Sequence, residues 1–322
     1  MNYDIIGDIH GHADALKALL LSLGYEEGKS RAWRHPNRQA VFVGDFIDRG
    51  PKQVESVDIV RRMVKEGCAQ AVMGNHEFNA IAWFLPDPGQ CGEYLRSHNS
   101  KKYGNKNYIQ HKAFLDAVDG TPAHKEIVDW FLTLPLWLEL DGIRVVHACW
   151  HASFMAYLEA QGLQNRRLTA DLMIKASREP ANEAEKDTPT PSIFKAVEAL
   201  TKGVEIPLPH PHDFVDKDGH TRDRVRTRWW DPQAATYRQT AMIDDESRAQ
   251  LPHDLIPDHN RIGHDGGTPI FVGHYWGSGT PTLLSEKVAC VDYSVAKGGK
   301  LVAYRWDGES LLDQRKFHWI GA

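Results

Sequence analysis

The sequence has few cysteines, and they form no recognisable motif. Cys68, Cys91, Cys149 and Cys290 lie far apart, and no two of them form a Cys-x-x-Cys pair. This spacing argues against both a zinc ribbon and a disulfide framework. We therefore expect reduced thiols, which are typical of a cytosolic protein.

Long apolar runs and a surplus of basic charge are also missing. No apolar run approaches the roughly 18 to 20 residues that span a bilayer, so we expect no membrane partner. The first residues lack the basic region and apolar core of a signal peptide, which favours a cytoplasmic protein. The net charge is -5, and this acidic balance argues against a dedicated nucleic-acid binder, which needs a basic surface.

Hydrophobic residues make up 42% of the 322 residues, which is enough to bury a large core. Apolar runs at 3–6, 40–43 and 69–73 predict strands, and each ends in a glycine followed by polar residues. Helical patterns at 13–23 and 53–65 separate these strands. The alternation predicts an α/β fold with a parallel sheet, in which ligands bind beyond the carboxyl ends of the strands.

The rest of the chain predicts more strands around a long irregular region. Strands are expected at 136–140, 144–146, 270–272, 282–284, 288–291 and 301–306, of which the last four predict a second sheet. Segment 153–264 reads as helices followed by a passage rich in proline, histidine and arginine, and we interpret it as an insertion. Because candidate site residues run from Asp8 to His274, we expect one catalytic domain over 1–322 that carries this insertion.

Three short segments after the opening strands carry candidate metal ligands. They are GDIHG at 7–11, GDFIDRG at 44–50 and GNHE at 74–77. A carboxylate and an imidazole two residues apart, as in Asp8 and His10, leave a strand end on the same side and can share one ion. A polar turn with a capping Asp or Asn would explain any one segment alone. All three in order, behind successive strands, favour a metal site.

Together these segments resemble the signature motifs of the phosphoprotein phosphatase branch of the calcineurin-like metallophosphoesterases. That family has two more histidines at strand ends, and His147 and His274 match them. The chain is similar to bacterial members, which include serine/threonine phosphatases and bis(5'-nucleosyl)-tetraphosphatases. The resemblance implies an α/β four-layer sandwich, with two mixed β-sheets flanked by helices and a helical or irregular insertion.

The resemblance also implies a centre with two divalent metal ions. Asp8 and His10 would bind one ion, Asn75, His147 and His274 would bind the other, and Asp45 would bridge both. Oxygen and imidazole ligands without a thiolate suit manganese, iron or zinc better than magnesium, and we expect manganese first. Two such ions can lower the pKa of a shared water and neutralise phosphate oxygens during in-line attack.

By the same resemblance, polar residues beside the ligands take part in catalysis. His76 would be the general acid that protonates the leaving oxygen, and Asp48 would orient its imidazole and favour the protonated form. Arg49 would grip the phosphate in a bidentate fork. A salt bridge from Arg49 to Asp45 or Asp48 is the structural alternative.

Members of the family usually supply a second arginine for the phosphate shortly before the last histidine strand. Four arginines alternate within 222–228, so in a strand they would share one face. Arg226 is the first choice for this contact and Arg228 the second. A solvated basic face is the alternative for each of them.

Bulky residues follow both late histidines. Where many relatives have glycine after His-Ala, this chain has Cys149 and Trp150, and Trp276 lies two residues after His274. The two tryptophans could stack on a nucleobase, or they could pack beneath the loops. The sequence leaves both readings open.

The leading hypothesis is a phosphomonoesterase of the serine/threonine protein phosphatase type, with a metal-activated water and His76 as the acid. The alternative is a hydrolase of dinucleoside polyphosphates such as diadenosine tetraphosphate. The metal ligands do not distinguish these two activities, because both reactions use the same attack on phosphorus. The expected substrates are accordingly phosphorylated proteins, small phosphoesters or nucleotides. An inactive phospho-binding scaffold would predict loss of the acid or of a ligand, and all of these residues are intact.

Overall fold

The structure is a computed structural model that describes residues 1–215, 219–264 and 266–321. Positions 216–218, 265 and 322 lie outside the described residues. The predicted domain includes all of these positions, and the predicted insertion includes 216–218. None of the helices in the described ranges combines the length and the apolar character needed to span a bilayer.

The helices and strands follow one another in three blocks. The first block contains β1 (Asn2–Ile6), α1 (Ala13–Ser22), β2 (Glu26–Glu27), β3 (Trp33–Arg34), β4 (Arg38–Phe42), α2 (Gln53–Lys65), β5 (Ala69–Ala71), α3 (Asn75–Phe84), α4 (Gly104–Val118), α5 (Pro122–Phe131), β6 (Trp137–Leu140) and β7 (Ile143–Val146). The second contains α6 (Ala152–Ala160), α7 (Ala170–Ala176), α8 (Glu183–Lys186), α9 (Ile193–Lys202), β8 (Glu205–Pro207), β9 (Phe214–Val215), β10 (Thr221–Arg222), β11 (Arg224–Arg226), α10 (Tyr237–Thr240) and α11 (Asp245–Ala249). The third contains β12 (Ile270–Val272), β13 (Leu283–Ser285), β14 (Val288–Cys290), β15 (Asp292–Tyr293), β16 (Lys300–Trp306) and β17 (Phe317–Ile320).

The first sheet contains the opening strands in the order β15–β16–β1–β4–β5, with β17 beside β16. β1, β4 and β5 run parallel, as the alternation of strands and helices predicts. β16 pairs with β1 in the antiparallel direction, from Tyr3 opposite Trp306 to Ile6 opposite Ala303. The sheet is therefore mixed.

The second sheet has the order β13–β14–β12–β7–β6. β7, β12 and β14 run parallel, and β6 and β13 are antiparallel edge strands. The prediction that the last four strands form this sheet is wrong for 301–306, because β16 joins the first sheet. Both faces of β16 are buried, which suits the interior of a sheet, but that pattern does not identify the partner strand.

The two sheets pack face to face. Alternate residues of each strand point to opposite sides of its sheet, so one set faces the other sheet and the other set faces the helices. Ile5, Val145 and Phe271 belong to the buried core between the sheets. Their neighbours Ile6 and Val146 point the other way, into the core that the helices form with the outer faces. The result is the expected four-layer order of helix, sheet, sheet and helix.

The predicted insertion forms helices and two small sheets. Leu158 of α6, Met173 of α7 and Leu200 of α9 join the buried core on the helical side of the molecule. β8 pairs with β11, and β9 pairs with β10. Arg222 therefore lies in a different sheet from 224–226, and the predicted single strand face of four arginines does not form. The chain bends between the two short strands because each of them pairs with a different partner.

A buried charge network lies near the amino end of β1. Asp4 is fully buried and accepts hydrogen bonds from Tyr25 Oη at 3.0 Å, Arg38 Nε at 2.9 Å and Arg305 Nε at 3.2 Å. The donors come from the loop after α1, from β4 and from β16. One carboxylate thus ties two strands of the first sheet to the helical layer.

We predict that Asp4→Ala lowers the free energy of unfolding by about 3 kcal/mol or more, because it leaves two guanidinium groups without their buried partner. Denaturant unfolding measures the change. Asp307→Ala is the matched control, since Asp307 pairs with the same Arg38 from the surface and should cost less than about 1 kcal/mol. Equal losses in the two variants would contradict a structural role for the buried carboxylate.

Candidate metal centre

The predicted ligands follow the carboxyl ends of parallel strands. Asp8 follows β1, Asp45 follows β4, Asn75 opens α3 after β5, His147 follows β7, and His274 follows β12. Strands of both sheets therefore contribute to one place. This is the edge at which open α/β sheets bind their ligands.

Five of the predicted site residues have a left-handed backbone conformation. The φ angles are +46° for His10, +53° for Asp45, +71° for Asp48 and Arg49, and +66° for His274. Such angles are uncommon for residues other than glycine and cost of the order of 1 kcal/mol or more each. Strain of this kind clusters at functional sites, where the surrounding structure holds it in place.

Gly44 and Gly74 allow the second and third segments to meet. Gly44 has a φ of +103°, and a Cβ there would lie 2.6 Å from the backbone nitrogen of Gly74. A Cβ on Gly74 would lie 2.2 Å from Asp45 Oδ1. Any side chain at either position would push Asp45 away from Asn75, so the contact between the two segments requires glycine.

Asn75 and two histidines form one ligand set with Asp45. Asn75 Oδ1 lies 2.9 Å from His274 Nδ1 and 3.2 Å from His147 Nε2. His147 Nε2 lies 3.3 Å from Asp45 Oδ2. Ligand atoms that bind one ion at about 2.0 to 2.2 Å lie roughly 3 to 3.5 Å apart. The four residues therefore fit a single divalent ion.

The His147 ring is held with Nε2 toward this set. Its Nδ1–H donates to the carbonyl of Val43 at 2.7 Å, a contact that fixes the orientation of a metal-binding histidine. Burial opposes protonation of the ring, but the Asp45 carboxylate more than offsets it and raises the pKa of His147 to about 10. A cation that binds here would displace this proton.

Asp8 and His10 form the second candidate set, with wider spacing. His10 Nδ1–H donates to the carbonyl of Ile47 at 2.8 Å, and His10 Nε2 lies 3.8 Å from Asp45 Oδ2. Asp8 Oδ2 accepts the backbone N–H of His274 at 3.1 Å. Asp8 Oδ1 is buried without a hydrogen-bond partner among the described residues. A buried carboxylate oxygen in that state is costly, and it fits a ligand to a cation.

Asp45 lies between the two sets. Groups of three residues with ligand atoms within 4.8 Å of one another share it, one with His147 and His274 and one with His10 and His76. In the described ranges, Asp8 joins no such group. Burial of Asp45 opposes its ionisation, yet His147 and His76 hold its pKa well below the usual range. Asp45 is therefore an anion, and its position fits a bridging ligand.

His76 is a buried imidazole that Asp48 holds. Its Nδ1–H donates to Asp48 Oδ2 at 2.5 Å, and its Nε2 lies 3.9 Å from Asp45 Oδ2. Burial opposes protonation of His76, but the carboxylates of Asp45 and Asp48 raise its pKa. The structure thus brings the predicted acid and its orienting carboxylate together beside the ligand sets.

Glu77 is a buried carboxyl group to which sequence reasoning gave no role. It accepts the backbone N–H groups of Asp45 at 2.8 Å, Phe46 at 2.8 Å and Gly74 at 3.0 Å. These bonds fix the loop of Asp45 to the start of α3. The position of Glu77 at the end of GNHE was a usable signal for this role.

Two further residues of the centre stand in none of the three motifs. Asp292 is buried and accepts the backbone N–H groups of Trp276 and Ser294, each at 2.9 Å. His111 is fully buried on α4, with Nδ1 2.7 Å from Asp48 Oδ2. Nothing in the local sequence around either residue marks it as part of a site.

Arg49 extends from the second segment into solvent. Its guanidinium lies 5.3 Å from the centre of the Trp276 ring. Asp45 and Asp48 pair with histidines, and neither forms an ion pair with Arg49. The salt bridge that was the alternative reading of Arg49 is therefore absent.

Arg226 and Arg228 have different surroundings. Arg226 Nε lies 3.2 Å from Glu205 Oε1. Burial and, after it, the charge of Arg226 lower the pKa of His274, so this charge acts at the ligand set. Arg228 lines a cavity of about 240 Å³ together with Trp229. Of the two candidates, Arg226 is the one whose charge acts on His274.

The two tryptophans also differ. Trp150 is only 6% exposed and lies against the guanidinium of Arg144, which is 5.0 Å from its ring centre. Trp276 is 37% exposed, with Arg49 at 5.3 Å and the Lys297 ammonium at 4.6 Å from its ring centre. Trp150 is therefore nearly buried and lines a cavity of about 440 Å³, whereas Trp276 presents an exposed aromatic ring close to two cations.

The fold and the candidate ligand sets fit the class of metal-dependent phosphoesterases. A family model described as calcineurin-like phosphoesterase matches residues 1–227. The chain belongs to this family, whose members bind two divalent metal ions.

The relatives of the chain carry related names. It is 32% identical over 164 residues to bis(5'-nucleosyl)-tetraphosphatase PrpE [asymmetrical] of Oceanobacillus iheyensis, covering 49% of this chain and 58% of that protein. It is 24% identical over 190 residues to the symmetrical bis(5'-nucleosyl)-tetraphosphatase of Hamiltonella defensa, covering 59% and 58%. The chain thus spans less than two thirds of the length of these relatives. A serine/threonine phosphatase structure from Saccharomyces cerevisiae aligns with a TM-score of 0.47 and 15% identity, covering 100% of this chain and 80% of that one.

We predict that the metal lost by a ligand variant depends on whether the replaced residue belongs to one ligand set or to both. His147→Ala should retain about one ion per chain, whereas Asp45→Ala should retain almost none, because both ligand sets share Asp45. Metal analysis after dialysis measures the content. His124→Leu, a change at a buried histidine on α5, is the control and should match the parent protein. Full metal content in Asp45→Ala would rule out the bridge.

Proposed function

We propose that the chain is a dinucleoside polyphosphate hydrolase, of which diadenosine tetraphosphate is the model substrate. The observation that carries this proposal is Trp276, whose exposed ring lies close to the cationic groups of Arg49 and Lys297. A nucleobase can stack on such a ring, and polyphosphate oxygens suit the two cations beside it. The names of the curated relatives point to the same substrate class.

We assign the ligands as the resemblance implies. Asp8 and His10 would hold one ion, Asn75, His147 and His274 would hold the other, and Asp45 would contact both. The spacing between Asn75 and the two histidines His147 and His274 supports this assignment, as does the unpartnered oxygen of Asp8. When bound, two ions lower the pKa of a water that they share and neutralise phosphate oxygens. Manganese is the first choice, with iron or zinc as the alternatives for this oxygen and imidazole set.

The protein side chains then orient the substrate and move one proton. Hydrolysis adds water across a phosphoanhydride bond, and the leaving oxygen needs a proton as the bond breaks. His76 donates it from Nε2, while Asp48 holds Nδ1 of the same ring. Arg49 binds one phosphate in a fork. Arg226 is the second phosphate ligand, because its charge acts at His274, whereas Arg228 faces another cavity.

We predict that His76→Asn keeps the fold and the metal content but lowers kcat by about a hundred-fold or more, because the leaving oxygen loses its proton donor. Steady-state kinetics with diadenosine tetraphosphate measures the effect, and metal analysis confirms that both ions remain. His124→Asn is the control for replacing a buried histidine. Turnover of His76→Asn at the parent rate would refute the assignment.

We predict that the manganese-bound protein consumes diadenosine tetraphosphate before a phosphothreonine peptide in one mixture followed by mass spectrometry. Trp276→Ala should raise KM for the dinucleotide about ten-fold, since stacking on a base is worth roughly 1 to 3 kcal/mol. Trp319→Ala is the matched control, because Trp319 is also exposed beneath a lysine but lies on β17. Dephosphorylation of the peptide with intact dinucleotide would instead indicate a protein phosphatase.

A further inference from the structure

Two imidazoles meet a single oxygen of Asp48. His76 Nδ1 lies 2.5 Å and His111 Nδ1 lies 2.7 Å from Asp48 Oδ2. His111 comes from α4, and its side chain is fully buried, so it cannot touch a substrate. Any effect of His111 on the centre therefore acts through Asp48.

The spacing of these three residues argues against a further metal ion. Ligands of one ion lie roughly 3 to 3.5 Å apart, as the atoms around Asn75 do. The nitrogens of His76 and His111 approach Asp48 Oδ2 more closely, His76 through a charge-assisted hydrogen bond and His111 at ion-pair distance. The cluster is two imidazoles in close contact with one carboxylate oxygen, and of the two it is the His76 N–H that is directed at this oxygen.

We propose that His111 is a positioning residue that holds Asp48 in place for the acid His76. The inference rests on the proposed role of His76 and deepens it. The carboxyl group of an aspartate rotates easily about its last bond. A single contact to His76 would let the group follow the moving ring, whereas a second contact from α4 fixes the oxygen independently of His76.

The backbone of Asp48 needs such support. Its φ of +71° is unfavourable for a residue with a side chain, and its N–H donates to Gln53 Oε1 at 2.6 Å. Its Oδ1 has no hydrogen-bond partner in the described part of the chain. Apart from the backbone contact to Gln53, the contacts that locate this carboxyl group are therefore those of the two histidines.

The surroundings of His111 suit a neutral donor. Burial lowers the pKa of His111. The charge of Arg96 also lowers this pKa, whereas the carboxylate of Asp48 raises it. A carboxylate only accepts, so the 2.7 Å contact requires the proton on Nδ1, but this N–H is not aimed at Oδ2, and neither ring nitrogen makes a well-directed hydrogen bond among the described residues. Burying an unpartnered nitrogen costs about 1 to 3 kcal/mol, a cost that an apolar side chain at this position would avoid. A neutral His111 orients the carboxylate without cancelling its negative charge, and that charge favours the protonated form of His76.

Two variants separate the positioning role from packing. His111→Leu keeps a buried side chain but removes the donor, whereas His111→Asn places an amide N–H near the position of Nδ1. His124→Leu is the matched control, because His124 is a buried histidine beside the carboxylate of Asp119 in the same helical layer. All four proteins are compared with zinc bound, since zinc is diamagnetic and allows NMR.

The first readout needs no substrate. In protein labelled with ¹⁵N-histidine, the proton of the short His76–Asp48 hydrogen bond should give a far-downfield signal, which is assigned by its loss in His76→Asn. We expect this signal in the parent, in His111→Asn and in His124→Leu, and we expect it to shift or vanish in His111→Leu. The second readout is hydrolysis of diadenosine tetraphosphate. There, kcat should fall about 10- to 100-fold in His111→Leu with KM nearly unchanged, and His111→Asn should recover most of it.

Clear outcomes would overturn the proposal. An unchanged signal and kcat in His111→Leu would show that Asp48 is held without His111. Equal loss of the signal and of kcat in His111→Leu and His111→Asn would show a packing role. Absence of the signal in the parent would show that the short His76–Asp48 hydrogen bond does not form. If the parent does not hydrolyse the dinucleotide, the proposed function fails, while the NMR comparison still decides the role of His111.

Discussion

The negative charge gathered at the strand ends is the constraint on which the rest of this structure depends. Asp8, Asp45 and Asp292 are all buried, and after burial itself Asp292 contributes most to raising the pKa of Asp8. Like charges can share such a place only if protons or cations compensate them. The proton of His147, whose pKa is raised to about 10, supplies part of that compensation, and divalent ions supply it when they bind. Metal binding and the stability of this edge of the sheets are therefore linked.

The backbone around these charges is strained, and other groups hold it. Asp45 and His274 have left-handed φ angles, and Glu77 binds the N–H of Asp45 while Asp8 binds the N–H of His274. Each strained residue is thus restrained by a buried carboxyl group from a distant part of the chain. The same logic applies to Asp48, which Gln53 and two histidines restrain. Pre-organisation here comes from contacts between segments rather than from any one loop.

The difference between local signals and contacts that join distant segments explains how much the sequence could predict. The structure gives α2 and β12 the predicted bounds, because local periodicity encodes them. The ligand positions follow from glycines and polar residues placed directly after apolar strands, which is also a local signal. The partner of β16 and the contact of His111 with Asp48 could not be predicted, because both join segments far apart in the chain. The arginine run was misread as one strand for the same reason, since its pairing partners decide where it bends.

The environments of Trp150 and Trp276 depend on such distant contacts as well. Each follows a predicted metal ligand within three residues, and the local sequence does not distinguish their environments. Trp276 has a left-handed φ of +49°, and its N–H donates to Asp292 Oδ2 at 2.9 Å. Asp292 in turn raises the pKa of Asp8, so one buried carboxyl group acts on a predicted metal ligand and holds the backbone of the exposed aromatic. The aromatic ring and the candidate metal centre are therefore parts of one restrained unit, as the proposed recognition of a base attached to a reacting phosphate chain requires.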